Sequence, residues 1–375
     1  VPDTSVKVCV LDTGVNNGHQ LLQPILKNED TLTVNPIWGT YDHSNQRGGH
    51  GTLMAGVAGY GNLERALGTR MNVVLTHRLC SVKILPPPTV NETKEELWGD
   101  ITSQGAFRAE VANGDFTLIY CMAVTSAIDS NKGRPSSWSG AIDNLTFGEG
   151  ENQKLFIISA GNVRDEDSYI NYPDSNLLST IENPAQSWNA LTVGAYTQKT
   201  RIDDSDYAGY APLAKENELS PFSTTSIMWE KKWPIKPEIV FEGGNVLKSQ
   251  SNSITRHEDL EILSTSKSIQ IKPFETINAT SAATAKASWF AAKVAYEYPD
   301  AWIETIRGLL VHSAEWKQSM IDQFGIDIRS KTQIPKLLRV FGYGIPNLEK
   351  ALHSKENALT LIAQEVIQPF RTSTE

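Results

Sequence analysis

The chain has 375 residues, 40% hydrophobic and 21% charged, enough apolar side chains to close a large core. Asp and Glu outnumber Lys and Arg by 43 to 34, and the net charge of −9, without a long Lys/Arg block, argues against general affinity for nucleic acid or an anionic membrane. No apolar run reaches the ~20 residues of a membrane span, and Val1–Lys7 lacks the charged-then-apolar layout of a secretory signal.

In chain order, Val6–Leu11 is a β-branched run that predicts a first strand, and Gly51–Gly59 a helix of small residues. Val73–Thr76 and Ser81–Leu85 predict two further strands. Pro86-Pro87-Pro88 with Thr89–Lys94 predicts a stiff surface connection. Apolar residues recurring at three and four predict a helix over Thr93–Asn113, and strands follow at Phe116–Met122, Leu155–Ser159 and Ala190–Val193. Asn245–Lys272 is polar, with little periodicity until Ser268–Ile271. Helices are expected at Ser281–Tyr298 and Trp302–Ser313, and Asn357–Glu375 predicts a terminal helix or a tether.

Strand then helix, repeated, predicts an α/β fold: a three-layer sandwich with a central, mostly parallel sheet flanked by helices. No Pro/Gly/Ser linker divides the chain, so one domain is expected over 1–350, with insertions near 86–94 and 245–272, and a C-terminal extension or tether over 351–375. The chain begins without an initiator Met, almost on its first strand, which predicts removal of upstream sequence. Cys9, Cys80 and Cys121 lie in apolar strand-like runs and read as small buried hydrophobes. Unpaired thiols favour a reducing compartment, so a cytoplasmic location is slightly preferred over a secreted one.

Three stretches carry the chemistry: Asp12-Thr13-Gly14 at the end of the first strand, Gly49-His50-Gly51-Thr52 opening a helix, and Asn278-Ala279-Thr280-Ser281 opening another. A serine hydroxyl is a weak nucleophile near neutral pH and needs an imidazole to take its proton. Ser281 and His50 supply that pair. The imidazole must be held in one tautomer and its charged form stabilised, which a buried carboxylate at Asp12 can do. Attack on a carbonyl develops an oxyanion, for which the Asn162 side-chain amide and the Ser281 backbone N–H are the candidate donors. Singly, each stretch has a plain reading as a turn, a loop histidine or an N-cap; their order and flanks join them.

Those flanks resemble the subtilisin-like serine peptidases, the subtilase family, over some 340 residues. The resemblance is carried by Asp12-Thr13-Gly14 with His19 and Leu21, by His50-Gly51-Thr52 with Ala55-Gly56-Val57-Ala58-Gly59, and by Ser159-Ala160-Gly161-Asn162. It continues through Lys236-Pro237-Glu238-Ile239-Val240, Arg307–Ala314 and Gly342–Asn347. It implies a serine endopeptidase with Asp12, His50 and Ser281 as triad, Asn162 as oxyanion donor and an acyl-enzyme intermediate. It also implies a protein or peptide substrate bound as an extended strand along Met122, Ala123 and Val124, opposite Ala160 and Gly161.

Three departures from the family pattern stand out. Ala279 replaces the usual glycine, Ala285 a common proline, and no clear copy of the calcium loop follows His50, leaving calcium open as a cofactor. An inactive or latent subtilase-like interaction module, regulated by a partner or a propeptide, is therefore the alternative. Met122 and Val124 predict a narrow first pocket, whereas Asp165, Glu166, Asp167 and Asp174 favour a basic side chain in it. No metal-ligand spacing occurs among the histidines, and no full nucleotide-binding motif is present.

Overall fold

The computed structural model describes residues 3–90, 93–128, 131–352 and 362–365. In chain order its elements are β1 (Val6–Asp12), β2 (Thr31–Thr33), α1 (His50–Tyr60), α2 (Leu63–Gly68), β3 (Arg78–Lys83), α3 (Trp98–Ala112), β4 (Thr117–Met122), α4 (Ser137–Phe147) and β5 (Leu155–Ser159). Then come α5 (Glu166–Ile170), α6 (Asp174–Leu178), β6 (Leu191–Thr197), β7 (Tyr210–Pro212), β8 (Glu218–Leu219) and β9 (Ile239–Glu242). The strands β10 (Leu247–Ser249), β11 (Ile254–Thr255), β12 (Ile262–Thr265) and β13 (Phe274–Ile277) lead into α7 (Ala279–Glu297) and α8 (Ile303–His312).

The central sheet runs β2-β3-β1-β4-β5-β6, with β9 continuing it parallel to β6 and β8 antiparallel at that edge. Alternation of side chains along the strands builds two cores. Val6, Val8 and Val10 of β1 join Ile119, Ile157 and Val193 under α1 and α7, while Cys9 and Leu11 join Tyr120, Phe156 and Ile158 under α3 and α4. This is the three-layer α/β sandwich that the alternation of strands and helices predicts.

Chain order steps from β1 out to β3 and then back across β1 to β4, so the direction of winding reverses between β1 and β4. In an open parallel sheet the crevice outside the strand carboxyl ends at such a point is where ligands bind. Asp12 ends β1, Met122 ends β4 and Ser159 ends β5. The next few residues of each loop therefore share one rim.

One sequence reading is corrected. Val73–Thr76 forms no strand: Val73 and Val74 are exposed, and the run leads into β3 outside the sheet. The segment 245–272 contains β10, β11 and β12 and is bound to α1, its Ser264 and Thr265 hydroxyls donating to the carbonyls of Leu53 and Thr52 at 2.5 and 2.8 Å. Its polarity serves these contacts. A Cβ on Gly56 would lie 2.3 Å from the Ser264 hydroxyl, so the small-residue helix follows from close packing on β12.

All three cysteines are buried free thiols. Among the described residues, no helix is long and apolar enough to cross a membrane, and no group of three or more His, Cys, Asp and Glu is placed to hold a metal ion. Asn91 and most of 351–375 lie outside the described residues.

His77 is 1% exposed and its Nε2–H donates to the Ala58 carbonyl at 2.8 Å. Burial, with a smaller push from Lys293, lowers its pKa from 6.5 to about 4. The unfolded chain thus binds a proton that the native state refuses, and stability falls as pH drops from 6.5 towards 4, by about 3 kcal/mol from this group. His77→Gln is expected to flatten that decline in denaturant titrations at pH 7 and 4.5; an unchanged decline would discount the assignment.

Candidate active site

Asp12 is 1% exposed at the end of β1, where a parallel sheet leaves the last side chain facing the rim. One carboxylate oxygen, Oδ1, accepts the Thr13 N–H at 2.7 Å, and both oxygens lie 2.8 Å from His50 Nδ1. Nδ1–H is therefore the donor to Asp12, leaving Nε2 the basic atom. His50 is the first residue of α1, its side chain 18% exposed.

The approach of these two elements is set by glycines. Gly14 has φ +97°, and a Cβ on Gly51 would lie 2.1 Å from the Gly14 carbonyl oxygen. No other residue fits at Gly51 without separating β1 from α1, and with them Asp12 from His50.

Asp42, which the motif search does not single out, is a second fully buried carboxylate beside this pair. It accepts the Thr13 hydroxyl at 2.9 Å and the Thr52 N–H and hydroxyl at 2.8 Å each. The Lys83 ammonium holds its loop through the Tyr41 carbonyl at 2.8 Å. Lys267, from the 245–272 segment, donates its ammonium to the Ser44 carbonyl at 2.5 Å and its backbone N–H to Gly48 at 2.7 Å. Burial alone would lower the His50 pKa, but Asp12 by charge and hydrogen bond, and Asp42 by charge, outweigh it and leave it raised above 6.5.

Ser281 is the third residue of α7 and 7% exposed. The leading N–H groups of a helix lack acceptors within it. Here Ala279 donates to the Gly243 carbonyl at 2.6 Å, Thr280 to Asn162 Oδ1 at 3.0 Å and Ala282 to the Asn278 carbonyl at 3.4 Å. Among the described residues, the Ser281 N–H has no protein acceptor. The positive end of a 19-residue helix thus faces the rim with one free donor.

Asn162 follows Gly161 on the loop after β5. Its Oδ1 receives the Thr280 N–H and lies 2.6 Å from the Thr280 hydroxyl, which fixes the amide with its NH₂ turned away from Thr280. The free Ser281 N–H and this NH₂ group come from two elements tied together by Thr280. Among the described residues the Ser281 hydroxyl makes no hydrogen bond.

Of the expected peptide-binding residues, Met122 is fully buried in the α3/α4 core and offers no side chain to a ligand. Ala123 is 8% exposed, and Val124 is half-buried with a main chain that has no protein partner among the described residues. Ala160 and Gly161 are buried, and their carbonyls are engaged by Glu182, Thr224 and Thr280. Beyond Val124 a cleft of about 580 Å³ is walled by Trp98, Ile101, Ile128, Trp138 and the Pro86-Pro87-Pro88 run, with Val90 and Thr93 also lining it.

Residues 3–344 match the Peptidase_S8 family model, described as the subtilase family. The chain belongs to the subtilase family. An uncharacterized protein, y4bN, of Sinorhizobium fredii is 26% identical over 248 residues, covering 62% of this chain and 55% of its own length. The chain thus spans about half the length of that curated relative. Among solved structures, sphericase is 21% identical with a TM-score of 0.54, covering 83% of each chain. The epidermin leader peptide processing serine protease of Staphylococcus aureus is 17% identical, with a TM-score of 0.56 over 95% of this chain and 76% of its own. A lanthipeptide protease is also 17% identical, with a TM-score of 0.55 over 93% and 88%.

In this subtilase, Ala279 adopts φ +67°, the left-handed region, two residues before Ser281. A Cβ there costs about 1 kcal/mol that glycine avoids. Ala279→Gly is expected to raise the urea midpoint by about that free energy; an equal or lower midpoint would show that the methyl group, packed beside Phe222 and Val246, offsets the strain.

Proposed function

We propose that this subtilase hydrolyses peptide bonds through Ser281 as nucleophile, His50 as general base and Asp12 as its orienting carboxylate, by way of an acyl-enzyme. The observation that carries the reading is the His50 Nδ1 to Asp12 bond of 2.8 Å, which leaves Nε2 as the proton acceptor at the rim where α7 begins. Attack of the Ser281 oxygen transfers its proton to Nε2 and forms a tetrahedral oxyanion. That charge is taken by the Ser281 N–H and the Asn162 NH₂. The imidazolium then returns the proton to the leaving amine, and water repeats the sequence on the ester.

Asp42 enters this mechanism as a second, more distant negative charge that stabilises the imidazolium. The substrate is a protein or peptide chain added as an extended strand against Val124, whose unpartnered main chain supplies the pairing edge. The apolar cleft beyond Val124 favours large apolar residues upstream of the one that immediately precedes the cut bond.

A fluorophosphonate labels only an activated serine. One adduct on Ser281, absent from Ser281→Ala, is the expected mass; no adduct on folded protein would favour the inactive or latent module. Asn162→Ala should retain the adduct but lower kcat by roughly 10²-fold or more. The acid limb of kcat/KM should lie above pH 6.5, because His50 must be neutral to act and its pKa is raised. Asp42→Asn removes a negative charge, so its limb should move to lower pH; an upward or absent shift would refute the role given to Asp42.

A further inference from the structure

Glu182 is a buried carboxylate lying between the segment that follows β4 and the loop that follows β5. Its backbone N–H donates to the Ala160 carbonyl at 2.9 Å, and its neighbour Asn183 exchanges both backbone hydrogen bonds with Ser126, at 2.9 and 2.8 Å. Residues 182–183 thus join the undersides of the two segments expected to flank a bound peptide. A Cβ on Gly161 would lie 2.4 to 2.6 Å from the Glu182 Cγ, Cβ and Cδ atoms, so this glycine rests on the glutamate side chain next to Asn162.

The carboxylate bridges the same two segments. Oε2 accepts the Thr125 hydroxyl at 2.5 Å, one residue past Val124, and the Arg164 guanidinium binds both oxygens as a fork, with Nη2 to Oε2 at 3.0 Å. Exposure of the two partners is unequal: the Glu182 side chain is 5% exposed and that of Arg164 57%. A buried carboxylate is stabilised by a cation beside it, and an exposed arginine that supplies one can return to water without repacking the protein. Of the acidic residues after Asn162, Asp165 does not supply this charge. Asp165 is exposed and spends its oxygens on the Asp167 N–H and the Ser168 hydroxyl.

Resting on the peptidase reading above, we propose that Glu182 is the specificity-determining residue of the first pocket, selecting arginine or lysine immediately before the cut bond. Arg164 holds the carboxylate until the substrate's cation displaces it. A substrate arginine presents the same planar fork as Arg164, and the Thr125 hydroxyl keeps the carboxylate oriented during the exchange. Met122, buried in the core, does not narrow this pocket with its side chain.

The test compares two peptidyl phosphonates that differ only in the side chain next to phosphorus, one a guanidinium and one an isobutyl group. Rates of Ser281 adduct formation are read by mass on the full chain. The guanidinium probe should react at least about tenfold faster in the wild type. That ratio should fall to about one or below in Glu182→Gln, and the guanidinium probe should react several-fold faster with Arg164→Ala.

An isobutyl probe that reacts as fast or faster in the wild type overturns the proposal, as does an unchanged ratio in Glu182→Gln. A generic fluorophosphonate run alongside separates the two readings. Labelling without preference refutes only the pocket, and absence of labelling refutes the peptidase. In the latter case benzamidine titration decides the pocket, since binding to Arg164→Ala that is lost on adding Glu182→Gln supports it and equal or absent binding refutes it. Should Glu182→Gln fail to fold, the wild-type ratio and the Arg164→Ala acceleration decide.

Discussion

The contact between the Gly14 carbonyl and Gly51 is the constraint on which the rest of the site depends. It lets the turn after β1 lie directly against the first turn of α1, and only at that separation does a 2.8 Å bond join Asp12 to His50. Hydrogen bonding alone would not hold this geometry, since one bond contributes only about 1 kcal/mol net. Rigidity comes from burial. α1 is buried along almost its whole length between the sheet, α7 and β12, and its small residues admit no looser arrangement.

The polar shell around this contact continues the same argument. A buried carboxylate without partners is costly, and Asp42 is surrounded by Thr13, Ser44 and Thr52 donors. Thr13 serves both carboxylates, its hydroxyl 3.1 Å from Asp12 and 2.9 Å from Asp42, and it also accepts the Gly51 N–H at 3.0 Å. A single side chain thereby links the two acids and the start of α1. Displacing any member would expose an unsatisfied buried group, so the network moves as a unit or not at all.

Much of this was legible in the residues because short motifs bind chemistry to backbone geometry. Asp12-Thr13-Gly14 and His50-Gly51-Thr52 carry both the hydrogen-bonded Asp12–His50 pair and the glycines that permit its approach. The strands β1, β4 and β5 announced themselves by β-branched runs long enough to cross a sheet. Asp42, Thr280 and Glu182 were illegible for one reason: each acts through contacts with residues far along the chain, Glu182 with Thr125 and Arg164, Thr280 with Asn162. The 245–272 segment misled for the opposite reason. Its polarity hid the strands within it, because Ser264 and Thr265 face the carbonyls of a buried helix, and polarity in a sequence does not say which polar group it will meet. Val73–Thr76 has strand composition and no strand beside it, since β-propensity expresses fit to a pleated, half-buried surface that this run never reaches.

Strain and charge converge on the two loops that meet at Thr280. The left-handed Ala279 directs the Thr280 N–H at Asn162, and Asn162 stands next to Gly161, which lies on Glu182. Movement of the Glu182 side chain is therefore opposed by the Gly161–Asn162 loop, whereas the Arg164 side chain is more than half exposed. If a cation is exchanged at this carboxylate, the exchange must take place on the arginine side, leaving Asn162 in place while the pocket fills. Substrate selection and oxyanion stabilisation then share a rigid wall. On the proposed reading, a substrate that pairs with Glu182 is anchored beside the loop that carries Asn162, and binding energy from that pairing is available to hold the carbonyl in position for attack.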